Sequence, residues 1–257
     1  MMILEDDPCD ILTKAMLGQG LDVHLLSKKT HLAEDTIHSV LHGERNPQVI
    51  HQLADILNLS AEALLNQGNY NLEVTPPEGL YRFISEYGYL GVNAYLIIHG
   101  QSATIFDTGT NAQSIINFID KHQLHIDTLY ITHRHADHTA CIDVFPDTPI
   151  VYPEDLRHGQ ILTMGDIHLT AVDVSGHASS AMAFNYNGLT SPVCICGDSI
   201  FAGSIGKTPS QKSYTKALTK ISDHILTLVD NTVICPGHGP LSTVLQEKSH
   251  TPFFATT

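Results

Sequence analysis

Four apolar runs in this chain stop on the same punctuation, a histidine or aspartate set beside glycine or clustered with others. "TLYIT" runs into "HRHADH", "LTAVDV" into "SGHAS", "PVCIC" into "GDS" and "NTVI" into "CPGHGP". Short runs rich in Val, Ile, Leu and Thr read as strands. In open α/β sheets, sites form beyond the carboxyl ends of strands. Glycine lets the backbone turn sharply at such a point. A fold for this chain therefore has to bring four strand ends together.

The first cluster is the densest. His133, His135, Asp137 and His138 occupy six positions. With 17 histidines in 257 residues, composition alone would produce this pattern about 0.005 times, so a solvated polar loop is a poor explanation. His133, His135 and Asp137 alternate, which at a strand end directs them to one side. His177, Asp198 and His238 follow the other three strands. Five histidines and two aspartates allow three ligands on each of two metals plus one bridge. Such nitrogen and oxygen donors suit zinc, with iron and manganese as alternatives.

Further strand runs are "LYRFIS", "VNAYLIIHG", "SATIFDTG", "IHLTAVDV" and "AMAFNYNG". Helical segments fall at "NAQSIINFIDKHQ", "TACIDVF" and "KSYTKALTKISDHILTLV". This mixture predicts an α/β layered domain over residues 79–257. Residues 10–68 follow another periodicity: apolar positions recur at helical spacing in five short segments, with Ser60 as an N-cap. They predict a small all-α five-helix domain. The stretch 69–78, with two prolines and little periodicity, reads as a linker.

Composition narrows the function. A hydrophobic content of 42% supports a buried core, and a formal net charge of −14 disfavours general nucleic-acid or membrane-surface binding. No cationic leader or membrane-length apolar run is present, so a cytoplasmic protein is expected. Cys194 and Cys196 share one face of a strand and read as buried free thiols. Lys212, Lys216 and Lys220 recur every four residues and read as a solvated helix face. The remaining histidines lack metal spacing.

Two resemblances follow from these residues. "VHLLSKKTHLAEDTIHSVLHGERNPQVIHQLADILNLSAEALL" resembles the Cro/C1-type helix-turn-helix domain, in which the helix near Glu34 to Leu41 would enter the major groove. Residues 1–70 carry four basic against ten acidic residues, a poor footprint for phosphate contact. A packing module or homodimerisation element is the competing expectation.

The motifs "FDTG", "THRHADH", "SGHAS", "GDSIFAGSIGKT" and "CPGHGPLSTVLQEKSHTPFF" resemble the metallo-β-lactamase-fold hydrolases, in their glyoxalase II-like branch. The resemblance implies an αββα sandwich. His133, His135 and His177 would hold one metal, and Asp137, His138 and His238 the second, with Asp198 as bridge. Asp107 would orient the site loops, and Lys207 would contact substrate. Asp137 and Asp198 would be the catalytic carboxylates.

The implied function is a dinuclear hydrolase of thioesters or esters, like hydroxyacylglutathione hydrolase, working through a metal-bridging hydroxide. Classical members add a C-terminal helical domain that helps bind glutathione. None follows "HTPFF" here, so glutathione is not fixed as the carrier. Alternatives are a mononuclear iron persulfide dioxygenase, suggested by "HADH", and a DNA-binding regulator with a metal-binding sensor domain. A β-lactamase role is weaker still.

Overall fold

The computed structural model describes residues 4–69, 73–88, 91–164 and 167–255. The thirteen strands and nine α-helices among the described residues are numbered below in chain order. The first sheet has order β1-β2-β3-β4-β5, comprising Leu80–Ser85, Val92–His99, Ser102–Phe106, His125–Tyr130 and Ile150–Val151. The second has order β13-β12-β9-β8-β7-β6. Its members are β6 (Gln160–Met164), β7 (Ile167–Asp173), β8 (Met182–Tyr186), β9 (Val193–Gly197), β12 (Val233–Pro236) and β13 (Ser242–Thr243). A two-residue hairpin, β10 (Ile200–Phe201) with β11 (Ser204–Ile205), projects after β9.

Strand alternation builds the layers. Tyr95, Ile97 and Phe106 of the first sheet meet Phe184, Ile195 and Cys235 of the second in one central core. Their neighbours Ala94, Leu96 and Ile105 face outward and pack under Ile115 of α6 (Gln113–His122). On the far side Cys194, Cys196 and Ile234 pack under Tyr214 and Ile221 of α8 (Gln211–His224). Two sheets between two helical layers form the expected αββα arrangement. It explains the unbroken apolar runs of β2 and β9: both faces are buried. The cysteines lie in the dry outer layer, where burial pushes the Cys194 thiol above its usual range.

The N-terminal residues form five helices: α1 (Pro8–Gln19), α2 (Val23–Thr30), α3 (Glu34–Leu41), α4 (Pro47–Leu57) and α5 (Ala61–Leu65). They enclose their own apolar cluster, including Leu12, Leu26, Ile37, Leu53 and Leu64. Several acidic residues in this segment serve as caps. Asp7 accepts from the Cys9 and Asp10 amides in a capping box, and Asp22 accepts from Leu25. Such caps typically contribute about 1 kcal/mol each. Asp7 with Pro8 at the first helical position starts α1 two residues before the periodicity does. Ser60 caps α5 through the Ala63 amide.

These helices dock on the layered part. A Cβ at Gly18 would lie 2.3 Å from the Tyr214 ring, so glycine permits close packing of α1 on α8. Gln211 Nε2 donates to Gln19 O (2.8 Å) and Ser60 N to Pro252 O (2.8 Å). Phe253 packs against both apolar clusters. The stretch proposed as a linker is tied down in part: Val74 packs on the central core and Pro77 is buried. Its residues 70–72 lie outside those described.

Two expectations need correction. "TACIDVF" is not one helix. It spans the end of α7 (Ala136–Thr139) and a single 3₁₀ turn at Ile142–Val144. Lys220 is not part of a solvated face, because α8 crosses the end of β7. There Lys220 pairs with Asp173 and reaches Ser175 Oγ at 3.1 Å. Lys212 and Lys216 are exposed as expected. The last helix, α9, covers Val244–His250, and no helix among the described residues is long and apolar enough to cross a membrane.

Candidate metal centre

All four strand ends converge. β4 ends at Tyr130, and His133 forms an isolated bridge with Ala181 at the edge of the second sheet. His135 is the N-cap of α7, and Asp137 and His138 lie within that helix. Asp137 is thus aimed by a helical turn, not by continued strand alternation. The chain bends into α7 before Asp137, which separates it from the His133 group. His177 follows β7, Asp198 follows β9 and His238 follows β12. Parallel pairing of β9 with β12 puts Asp198 and His238 side by side, and Gly237 N donates to Gly197 O (2.9 Å).

The side chains form two groups whose ligand atoms each lie within 4.8 Å of one another: His133, His135, His177 and Asp198, and then Asp137, His138 and His238. His135 Nδ1 lies 3.0 Å from both His133 Nε2 and His177 Nε2. Asp198 spans the groups. Its Oδ2 is 3.5 Å from His177 Nε2 and its Oδ1 is 3.2 Å from His138 Nε2. His238 Nε2 lies 3.1 Å from Asp137 Oδ2. The structure brings together the seven residues named from sequence, and Asp198, read there as the bridge, falls with the His133 group.

Hydrogen bonds behind the rings decide which nitrogens face inward. His177 Nδ1 meets Lys207 O (2.7 Å) and His238 Nδ1 meets Gly91 O (2.9 Å). A carbonyl can only accept, so both Nδ1 atoms carry a proton, and in the neutral ring both Nε2 atoms present a lone pair. Asp107 Oδ2 does the same for His138 at 2.8 Å. Asp107 also accepts from Thr132 N (2.8 Å) and Thr132 Oγ1 (2.7 Å). With its proton committed to Asp107, Thr132 Oγ1 accepts from His133 Nδ1 (3.1 Å). Asp107 therefore orients one histidine in each group. It does so from a left-handed backbone (φ 58°), a conformation that aspartate tolerates better than most residues.

The donor set fits divalent cations. His138 Nε2 and Asp198 Oδ1 are buried without a hydrogen-bond partner, although each is aimed at the other. An unpaired buried polar atom costs about 1–3 kcal/mol, and a cation between them would remove that cost. The charge balance agrees. Burial acts to lower the pKa of His138, but Asp107 and Asp198 raise it to about 10. Burial likewise opposes protonation of His238, while hydrogen bonds to Asp137 and Asp198 lift it to about 11. Burial holds His133 well below its ordinary value. The carboxylates thus demand positive charge at their centre.

A cleft of about 450 Å³ opens onto this cluster. Lys207 lines it with an exposed side chain. Tyr87, Phe201, Glu5, Asp6 and Lys14 also line it, and sequence reasoning placed none of them there. Their contacts span up to nearly the whole chain, and no local pattern reports them. Clefts of similar size at Glu86, Thr110 and Gln113, and at Arg157 and His158, lack converging ligand atoms. Two of the histidines without metal spacing, His158 and His224, stack at 4.2 Å.

Comparison with known proteins agrees with this geometry. Residues 87–153, which contain four of the seven residues, match the family model of the metallo-beta-lactamase superfamily. A "probable metallo-hydrolase" of Streptococcus pyogenes is 26% identical over 201 residues, covering 64% of this chain and 86% of its own. The hydroxyacylglutathione hydrolase GloC of Haemophilus influenzae is 25% identical over 187 residues, covering 60% and 87%. The crystal structure of the B3 metallo-beta-lactamase BLEG-1 superposes with a TM-score of 0.62 at 25% identity, covering 69% of this chain and all of that one. Fold, site and the partial family match agree in making the chain similar to the metallo-beta-lactamase superfamily. The curated relatives name metallo-hydrolases, and the His/Asp cluster is of the kind that holds divalent metal.

Proposed function

We propose that the protein is a dinuclear metal-dependent hydrolase of a thioester or ester. One observation carries the reading: two groups of ligand atoms share Asp198, and proton acceptors behind the rings turn four imidazole lone pairs inward. His133, His135 and His177 would hold one ion and Asp137, His138 and His238 the other, with Asp198 between. Bound divalent ions supply a hydroxide at neutral pH and Lewis acidity at a carbonyl oxygen.

The protein's own contribution is orientation and charge. His238 offsets the burial that would raise the Asp137 carboxyl, and the balance lies below the usual carboxylate range. Asp137 is therefore held ionised, the form that would ligate a cation or accept a hydrogen bond. Tyr87 and Phe201 flank His238, with ring centroids 5.7 and 5.9 Å away, and give an acyl group an apolar seat. Lys207, beside His177, is placed to meet an anionic end of the substrate. The hydroxyacylglutathione hydrolase likeness favours a thioester.

The mononuclear dioxygenase reading leaves Asp137, His138 and His238 without a task. The regulator and homodimer readings gain no support. The first turn of α3 presents Glu34 and Asp35 to solvent, and α1 packs on α8 of the same chain. The test is a panel of acyl thioesters, esters and lactones with metal-loaded protein. Chelator-sensitive turnover of thioesters is expected. Absence of turnover across the panel, or oxygen consumption on a persulfide with one iron per chain, would overturn the reading.

A further inference from the structure

The N-terminal segment is the part of the metal cleft that the superfamily match leaves unexplained. It is firmly placed. Lys14 on α1 pairs with Asp6, donates to Ile205 O (2.8 Å) and lies 5.3 Å from the centre of the Phe201 ring. This ties α1 to the β10–β11 hairpin at the cleft. Asp7 caps α1, so residues 5 and 6 must leave the helix at a fixed angle. They run past the loop of His238: a Cβ at Gly239 would lie 3.7 Å from Glu5 N.

The charges along this wall are unequal. Lys14 and Asp6 neutralise each other, with side chains only 13% and 8% exposed. Glu5 is half-buried, lines the cleft, and makes no hydrogen bond or ion pair among the described residues. Burial lifts its carboxyl above the usual range; His238 and Lys14 pull against that lift, and Asp6 and Asp198 add to it. On the side of His177 the cleft carries the exposed Lys207. The cleft is therefore polar along its length, anionic at the His238 end and cationic at the His177 end.

We infer that the segment from Glu5 to Lys14 is a working wall of the metal cleft, and that the Glu5 carboxylate is a specificity-determining residue. It favours ligands bearing an ammonium group at the His238 end and disfavours those bearing a carboxylate there. The helical segment then serves as a substrate-selecting cover, and the substrate class is a thioester or ester with a cationic amine near the scissile carbonyl. The inference rests on the metal-cleft reading above, and its test does not require turnover.

The full chain, loaded with zinc, is titrated calorimetrically at pH 8 with three small thiols. These are cysteamine (cationic), 3-mercaptopropionate (anionic) and 2-mercaptoethanol (neutral). A charge a few ångströms from the bound group at intermediate dielectric changes affinity by about tenfold. The wild type is expected to prefer cysteamine over 3-mercaptopropionate. Glu5→Gln should weaken the cation and strengthen the anion about tenfold each, shifting the ratio of the two Kd values about a hundredfold towards the anion, and Glu5→Lys should shift it further. 2-Mercaptoethanol binding and zinc content should not move. If the thiols bind but the ratio stays within twofold in both variants, the Glu5 assignment is wrong. If no thiol binds the wild type, the metal-cleft reading itself fails and the inference falls with it.

Discussion

Asp107→Asn changes one oxygen to nitrogen in a side chain that orients both ligand groups. Asparagine tolerates the left-handed backbone at this position about as well as aspartate, so strain is not at issue. One amide oxygen can still accept from Thr132 N. The amide nitrogen then stands where Oδ2 accepted from Thr132 Oγ1 and His138 Nδ1, and donors face donors. His138 regains a partner only by moving its proton to Nε2, the atom aimed into the site. Loss of a charge-assisted hydrogen bond costs about 1.5–3 kcal/mol. A ligand in the wrong tautomer also weakens metal binding about 10–100-fold. Competition titration against a chromophoric chelator should show that loss chiefly for one of the two ions, that of the His138 group, with a smaller effect through Thr132 and His133 on the other. Unchanged affinities for both ions would refute the claim that Asp107 sets the tautomer.

Other outcomes follow from single contacts. Gly237→Ala places a Cβ 2.1 Å from Asp198 Oδ1 and 2.6 Å from His138 Cε1. It should lower bound metal below two per chain while circular dichroism stays native. Phe184, wholly buried between the sheets against Phe106 and Tyr130, should cost about 3–5 kcal/mol when changed to Ala in urea unfolding. Glu247 is buried, and burial lifts its carboxyl to about 6 despite acceptance from Gly203 N and Thr251. Its folded-state value lies above the unfolded one. Its contribution is therefore complete below pH 4.5 and is lost as pH rises through 6, a fall of about 2 kcal/mol. Glu247→Gln should flatten that segment of the stability–pH curve, and an unchanged slope would remove Glu247 as its source.

Much of the layered fold was legible because two-sided burial leaves a strong local mark. β1 matches "LYRFIS" residue for residue, and Leu96 and Ile97 are apolar for different reasons, one facing α6 and the other the central core. The seven candidate ligand residues were legible because they fall in the four short segments that follow β4, β7, β9 and β12. Elements with weaker marks were missed. β6 is an edge strand with Ile161 68% exposed, and the β10–β11 hairpin is too short for periodicity. The cleft walls were missed for another reason. Gly91 O behind His238, Lys207 O behind His177 and Lys14 against Ile205 O join residues 30 to 191 positions apart. Backbone carbonyls also carry no sequence signature. The acidity of the helical segment read only as a defect in a DNA binder, whereas part of it caps helices and part lines a cleft.

Whether Asp198 and the six side chains around it hold two divalent ions is read from metal content per chain in the purified, zinc-reconstituted protein. The account predicts two equivalents in the wild type and about one in each of His177→Ala and His238→Ala, with the fold retained. A single equivalent in the wild type that survives His238→Ala would contradict it.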